Sequence, residues 1–276
     1  MRITRKIAAV GAAVGLALGS LAACASAEEP GSEGGDSVTI GIKFDQPGLG
    51  QQVGSEYEGF DVDVANYVAK ELGYTDVQFK EAPSAQRETL IESGQVDMIF
   101  ATYSITEERQ QKVSFAGPYL VAGQDLLVSA DNTDITGPDS LNGKKLCSVT
   151  GSTSAQTIKD EYAGKVQLQE YDTYSKCVDP IINGQLDAMT TDDSILAGYA
   201  NQQQYQGKLK LVGNPFTEEN YGVGIKKGDT ELCGKVNDAL TKMVDDGAWE
   251  QALKDNFGDN YTPNPDNNPP EHIQCS

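Results

Sequence analysis

Val38, Ile40 and Ile42 alternate with Thr39, Gly41 and Lys43, the period of two expected of a half-buried strand. Asp61 then stands as the cap of a helix in which Val64, Ala65, Val68, Ala69 and Leu72 recur as one apolar stripe. Val77–Lys80 reads as a second strand, Ala85–Glu92 as a second helix and Asp97–Phe100 as a third strand, the βαβ rhythm of an open parallel sheet. Beyond Gly117-Pro118 come an apolar strand at Asp125–Val128, a turn-rich stretch over Asp131–Asn142 and a fresh β/α series. Its strands fall at Lys145–Thr150, Val166–Glu170, Ala188–Thr190 and Lys208–Val212, its helices at Ser154–Tyr162, Tyr174–Ile182 and Ser194–Asn201. Tyr221–Ile225 reads as another strand, Thr230–Val244 and Ala248–Asn256 as closing helices, and the Pro-rich Thr262–Ser276 as an irregular tail. Two such series predict an α/β chain of two lobes, with strand-end residues lining the cleft between them.

The length of 276 residues suits that division. Charge narrows the partners: 21 Lys and Arg stand against 41 Asp and Glu, a net of −20. Three of those basic residues (Arg2, Arg5, Lys6) lie in the first 23, and without them 18 remain against 41 acids, a net of −23. Nucleic acid and anionic lipid headgroups need a basic face and are poor candidates for the main partner. The single histidine, His272, removes most metal sites and every His-based triad, so neither metal nor cofactor is expected.

Met1–Lys6 is basic, Ile7–Leu18 is apolar, and small residues lead to Cys24, a run too short to span a membrane and suited to a secretory signal over 1–23. Leu21-Ala22-Ala23-Cys24 resembles the bacterial lipobox, which implies that Cys24 is acylated and becomes the mature first residue. Residues 24–37 lack apolar periodicity and read as a flexible tether reaching on the order of 20 Å. The expected location is the outer face of the cell membrane, held by lipid. There thiols tend to pair, so Cys147, Cys177, Cys233 and Cys275 should form two disulfides, with three connectivities open.

Several strand ends carry chemistry. Lys43 closes the first strand, where an amine can meet an anion or simply be solvated. Ser84 and Arg87 are three apart at a helix start, and Arg87 has the planar fork that grips a carboxylate, although by itself it also reads as a surface ion pair. Thr102 and Ser104 follow the third strand and lead to Arg109 in a first helical turn, another place for an anion or for a pair with a neighbouring Glu. Thr150-Gly151-Ser152-Thr153-Ser154 is either an anion cradle or plain N-capping. Of Asp192 and Asp193, one should cap a helix and the other could face the cleft and hold an ammonium. Neither a P-loop nor a dinucleotide fingerprint is spaced correctly, and G-x-S-x-G and H-E-x-x-H are absent.

Gly59-Phe60-Asp61-Val62-Asp63-Val64-Ala65 is similar to the signature of the polar amino-acid group of extracellular solute-binding proteins, family 3, of the type II periplasmic-binding fold. The likeness spans roughly Val38–Gly258, including the stretch from Ala101 to Arg109 and Gly222–Lys227. The runs Lys43–Gly50, Pro83–Leu90 and Cys147–Thr153 resemble the glutamate-binding lipoproteins of actinobacterial ABC importers. The resemblance implies that Arg109, aided by Thr102, Ser104 and Thr153, holds the ligand α-carboxylate and that Asp192 holds the α-ammonium. It implies that Lys43, Ser84 and Arg87, with Thr150 nearby, face a side-chain carboxylate. The glutamine-binding branch has an acid at Lys43, an aromatic at Ser84 and a histidine where Thr191 stands, so this chain departs from it. Lys43, Arg87 and Arg109 against Asp192 make a local sum of +2.

Family topology further implies a discontinuous first lobe (38–122 and 218–261), a second lobe (123–217), a Pro-rich tail (262–276) and a two-strand hinge, each lobe a mostly parallel sheet flanked by helices. With that division, Cys147–Cys177 and Cys233–Cys275 are the favoured bridges, since each joins elements of one lobe. The implied protein is a monomeric, non-enzymatic receptor that closes on L-glutamate and delivers it to an ABC permease with its cytoplasmic ATPase. The competing expectations are a receptor for glutamine or aspartate, a ligand sensor, and an extracytoplasmic enzyme on the same fold.

Overall fold

The computed structural model describes residues 37–276. The expected signal segment, Cys24 and the tether up to residue 36 lie outside the described residues.

Strand β1 (Ser37–Ile42) leads into a small antiparallel sheet of β2 (Asp45–Gln46), β3 (Gly50–Val53) and β4 (Glu56–Glu58). Then come α1 (Phe60–Glu71), β5 (Asp76–Glu81), a 3-10 turn at Ser84–Gln86 running into α2 (Arg87–Glu92), β6 (Met98–Phe100), the short α3 (Glu107–Gln110) and β7 (Val113–Ala122). After Gly123 the chain builds β8 (Gln124–Ser129), β9 (Lys145–Val149), α4 (Thr153–Glu161), β10 (Gln167–Tyr171), α5 (Ser175–Ile182), β11 (Ala188–Asp192), α6 (Asp193–Ala200) and β12 (Leu209–Leu211). It returns through β13 (Glu219–Lys226), α7 (Thr230–Asp245), α8 (Ala248–Phe257) and β14 (Gln274–Cys275).

These strands form a six-stranded sheet ordered β14-β7-β13-β6-β1-β5 and a five-stranded sheet ordered β10-β9-β11-β8-β12. Both are mixed rather than mostly parallel. Pairing is parallel where helices cross over, β1 with β5 and β6, and β9 with β10 and β11, and antiparallel elsewhere. The two passages between sheets run side by side, with Gln124 N donating to Thr217 Oγ1 at 3.1 Å. The α/β class and most elements lie where periodicity placed them, with ends shifted by a residue or two.

Three features differ from the sequence reading. Most of β7 was missed because it is buried on both faces and so shows no alternation, only an apolar run interrupted by Gly117-Pro118. The β2–β4 sheet is built from polar residues that give no strand signal. The Pro-rich tail ends in an edge strand, β14, paired with β7 at Gly117 and Ala116.

The expected stripe on α1 is realised: Val64, Ala65, Val68 and Ala69 are fully buried, in the same core as Val236, Leu240 and Met243 of α7. The Phe60 and Trp249 rings pack edge to face with centroids 5.7 Å apart, and the indole N–H donates to Tyr119 O at 2.7 Å, which satisfies its buried polar atom. Both disulfides form as favoured. Cys147–Cys177 ties β9 to α5 and Cys233–Cys275 ties α7 to β14. Among the described residues no helix is long and apolar enough to cross a membrane.

Candidate functional site

Parallel βαβ units put the carboxyl ends of their strands on one edge of a sheet, and the predicted side chains sit at those ends. Lys43 lies just beyond β1, Ser84 and Arg87 beyond β5, Thr102 and Ser104 beyond β6, Thr153 beyond β9, and Asp192 ends β11. The two sheets face each other so that these residues approach one another. Thr150 is exposed and does not line the cavity they form.

Lys43 is 5% exposed and donates from Nζ to Ser84 Oγ at 2.7 Å. Burial, and then the charge of Arg87, lower its ammonium to about 7. Arg87 is 2% exposed; Nη1 donates to the carbonyls of Ala101 (3.0 Å) and Thr102 (3.2 Å), Nη2 reaches Gly151 O across the cleft at 3.4 Å, and Nε has no partner among the described residues. Among the described residues, neither Lys43 nor Arg87 has a carboxylate within 4.0 Å. Two buried cations side by side without a paired counter-ion are costly unless an anion joins them.

Arg109 is held differently. Nη1 donates to Ser104 O at 2.7 Å, Nη2 to Gly151 O at 3.1 Å, and Nε lies 3.6 Å from Glu88 Oε1. Burial, then Arg87, pull its pKa down to about 10. The Tyr103 ring lies beneath both guanidiniums, at 4.3 Å from Arg87 Cζ and 5.0 Å from Arg109 Cζ, and the ring quadrupole supports them. Ser104 Oγ and Thr153 Oγ1 are 3.5 Å apart across the cleft, and Thr153 Oγ1 donates to Glu219 Oε2 at 2.9 Å.

Asp192 occupies the cap position of α6, yet its side chain caps nothing. It accepts from Tyr221 OH at 2.5 Å and Ser154 Oγ at 3.3 Å, and burial together with Glu219 pushes its carboxyl up. Asp193 does the local work, accepting from Ser194 N, Gly123 N and Tyr261 OH. In the loop before α4 the capping alternative holds for Ser152, whose Oγ accepts from Ala155 N at 2.9 Å. Thr191, where the glutamine-binding branch is expected to carry histidine, donates to Tyr174 OH at 2.7 Å.

Acids that the sequence reading missed change the charge count. Asp61 is not a cap: Gly59 is, and Asp61 is fully buried inside α1. It accepts from Thr102 N at 2.9 Å and Tyr119 OH at 2.8 Å, and burial raises it to about 6. With Asp61, Glu88 and the buried Glu219 beside Asp192, and with Asp45 and Glu81 acting on Lys43, the cations are no longer in excess and the local sum of +2 does not hold. Ion pairing is uneven. Lys43 and Arg87 line one end without an ion pair, whereas Glu88 and Glu219 gather near Arg109 and Thr153. One signal for Asp61 was available, since it stands on the apolar stripe, three and four residues before Val64 and Ala65.

A cavity of about 10 Å³ remains between Arg87, Thr102, Thr153, Tyr174 and Asp192, room for about one water. An amino acid enters only when the sheets part. Two glycines allow the close fit: a Cβ on Gly198 would stand 1.9 Å from Pro47 O, and one on Gly151 (φ +81°) 2.7 Å from Ala85 Cα. Tyr199 OH on α6 also donates to Asp45 O, fastening the same lip. A groove of about 660 Å³ lies between the tail and β7, away from the buried charges.

The sequence profile of the bacterial extracellular solute-binding proteins, family 3, matches residues 38–259. The glutamate-binding protein GluB of Corynebacterium efficiens is 49% identical over 93% of this chain and 92% of its own, and that of Corynebacterium glutamicum 45% identical over 94% and 92%. The ABC transporter glutamine-binding protein GlnH of Bacillus subtilis is 37% identical over 79% of this chain and 80% of its own. Among solved structures, an ancestral arginine-binding protein bound to glutamine superposes with a TM-score of 0.74 at 33% identity, covering 81% of this chain and 98% of that one. With its profile matched almost from β1 to the end of α8, the chain belongs to the bacterial extracellular solute-binding proteins, family 3.

Proposed function

We propose that the chain is the substrate-binding receptor of an ABC importer, that it closes on L-glutamate between the two sheets, and that it hands glutamate to the permease without performing chemistry. The observation that carries this is the buried pair Lys43 and Arg87, with no carboxylate within 4.0 Å of either and no partner for Arg87 Nε among the described residues. A distal carboxylate supplies the missing counter-ion, and an amide does so far less well. In this reading Arg109, Thr102, Ser104 and Thr153 take the α-carboxylate and Asp192 the α-ammonium. The passages around Gly123 and Thr217 act as the hinge between lobes 38–122 with 218–261 and 123–217. Lipid at Cys24 holds the monomer to the outer face of the membrane, which intact mass of the membrane fraction tests.

The decisive experiment is a thermal-shift screen of the twenty amino acids, because a ligand that binds the folded form alone raises apparent stability. Glutamate should give the largest shift. A larger shift with glutamine would replace the assignment with the same-class alternative, which the glutamine-named relative keeps in view.

A further inference from the structure

Arg87 and Arg109 stand on different helices, yet one four-residue turn sets the position of both. Ala101 O and Thr102 O accept from Arg87, Ser104 O accepts from Arg109, and the Tyr103 ring lies under the two guanidiniums. The turn takes this shape because Thr102 adopts φ +46°, the one positive φ outside glycine among the described residues. A β-branched residue enters that region only where its surroundings hold it there. The backbone N–H of Thr102 points to Asp61 Oδ2 at 2.9 Å, and its hydroxyl bonds Ala101 O at 2.8 Å and Gln46 Oε1 at 3.2 Å. The other oxygen of Asp61 is occupied by Tyr119 OH, whose chain is fixed in turn by Trp249 on the Tyr119 carbonyl. A carboxylate fully buried on α1, with no ion pair among the described residues, thus gives one oxygen to the strained residue and is itself held through the other by Tyr119.

We infer that Asp61 is the positioning residue of the carboxylate-binding arginines, acting through the left-handed Thr102 and never touching the ligand. This rests on the reading that Arg87 and Arg109 bind the amino acid's two carboxylates. Because Arg109 serves every amino acid, loss of Asp61 weakens glutamate and glutamine alike. Its charge acts oppositely: removing an anion near Lys43 and Arg87 favours glutamate over glutamine.

The test is a double-mutant cycle by calorimetry with both ligands on wild type, Asp61→Ala, Thr102→Gly and the double variant. Asp61→Ala should weaken both ligands at least about tenfold, since small misplacements of binding groups are expensive. In the Thr102→Gly background the same change should cost no more than about twofold, because glycine takes positive φ without support. An equal loss in both backgrounds, a change confined to glutamate, or binding within about twofold of wild type overturns the inference. If Asp61→Ala does not fold, Asp61→Leu, similar in size and shape and without an acceptor for Thr102 N–H, runs the same cycle under the same criteria. A ligand-independent arm keeps this separate from the function assigned above: amide exchange of Thr102, protected in wild type, should accelerate in the Asp61 variant. Unchanged protection overturns the inference even if the wild type binds neither amino acid.

Discussion

Replacing Arg87 by Met removes the guanidinium while keeping an unbranched chain of similar reach. Two costs follow, and they separate by ligand. The first is common to all ligands: Ala101 O keeps Thr102 Oγ1 and Gly151 O keeps Arg109 Nη2, but Thr102 O loses its donor, at about 1–3 kcal/mol for a buried group left unpaired. The second falls on glutamate alone, whose distal carboxylate keeps only Lys43 and Ser84 in a site where Arg87 is 2% exposed. Truncating one partner of a buried charge pair costs about 2–5 kcal/mol, and at 1.4 kcal/mol per tenfold the midpoint exceeds a hundredfold. Calorimetry with glutamate and glutamine on wild type and Arg87→Met therefore compares two ratios, and the common cost cancels between them. Glutamate should weaken on the order of a hundredfold more than glutamine. Arg109→Met is the internal contrast and should weaken both by similar factors, through the shared α-carboxylate. Equal losses for both ligands in Arg87→Met would show that Arg87 does not read the side chain, and the reasoning from the unpaired cations would fail with it.

Proton linkage gives an independent check. Burial and Arg87 lower Lys43 to about 7, and a carboxylate beside it raises that value, so the advantage of glutamate over glutamine is full below about pH 7 and fades as pH rises above it, whereas ionisation of Asp192, pushed up by burial, acts in the opposite sense on both ligands and cancels in the comparison. Calorimetry from pH 6 to 9 in buffers of different ionisation enthalpy should detect more proton uptake with glutamate than with glutamine, and Lys43→Arg, which stays charged, should flatten that difference. Gly198→Ala places a methyl 1.9 Å from Pro47 O, so it should hold the lobes apart and weaken every ligand; small-angle scattering with saturating glutamate should then show incomplete compaction. Cys233→Ser with Cys275→Ser opens a loop of 42 residues, about 4 kcal/mol in the chain-entropy account, and should lower the melting temperature by on the order of 10 °C. An unchanged melting curve would show that the bridge contributes nothing to stability.

The residues alone determined what depends on local periodicity. Helical spacing at Val64, Ala65, Val68 and Ala69 and alternation at Val38, Ile40 and Ile42 marked the crossover units, because a surface helix or half-buried strand must sort its side chains by face. The rule that ligands meet parallel strands at their carboxyl ends then singled out Lys43, Arg87 and Asp192 as candidates. Periodicity was silent where both faces are buried, as in β7, and where neither is apolar, as in β2 to β4.

What only the tertiary structure decided concerns partners distant in sequence. Asp61 stands where a capping acid would stand, and its true partner, Thr102 N, lies 41 residues away. Glu219 and Thr153, 66 residues apart, meet across the cleft, so the sign of the site's charge could not be counted from the strand ends that supply its cations. The seating of Gly198 against Pro47 likewise depends on how two sheets close, a contact that no local pattern encodes. Backbone propensity and side-chain sorting act within a turn or two of chain, whereas desolvated charges and close approaches are set by whichever residues the fold brings within a few ångströms.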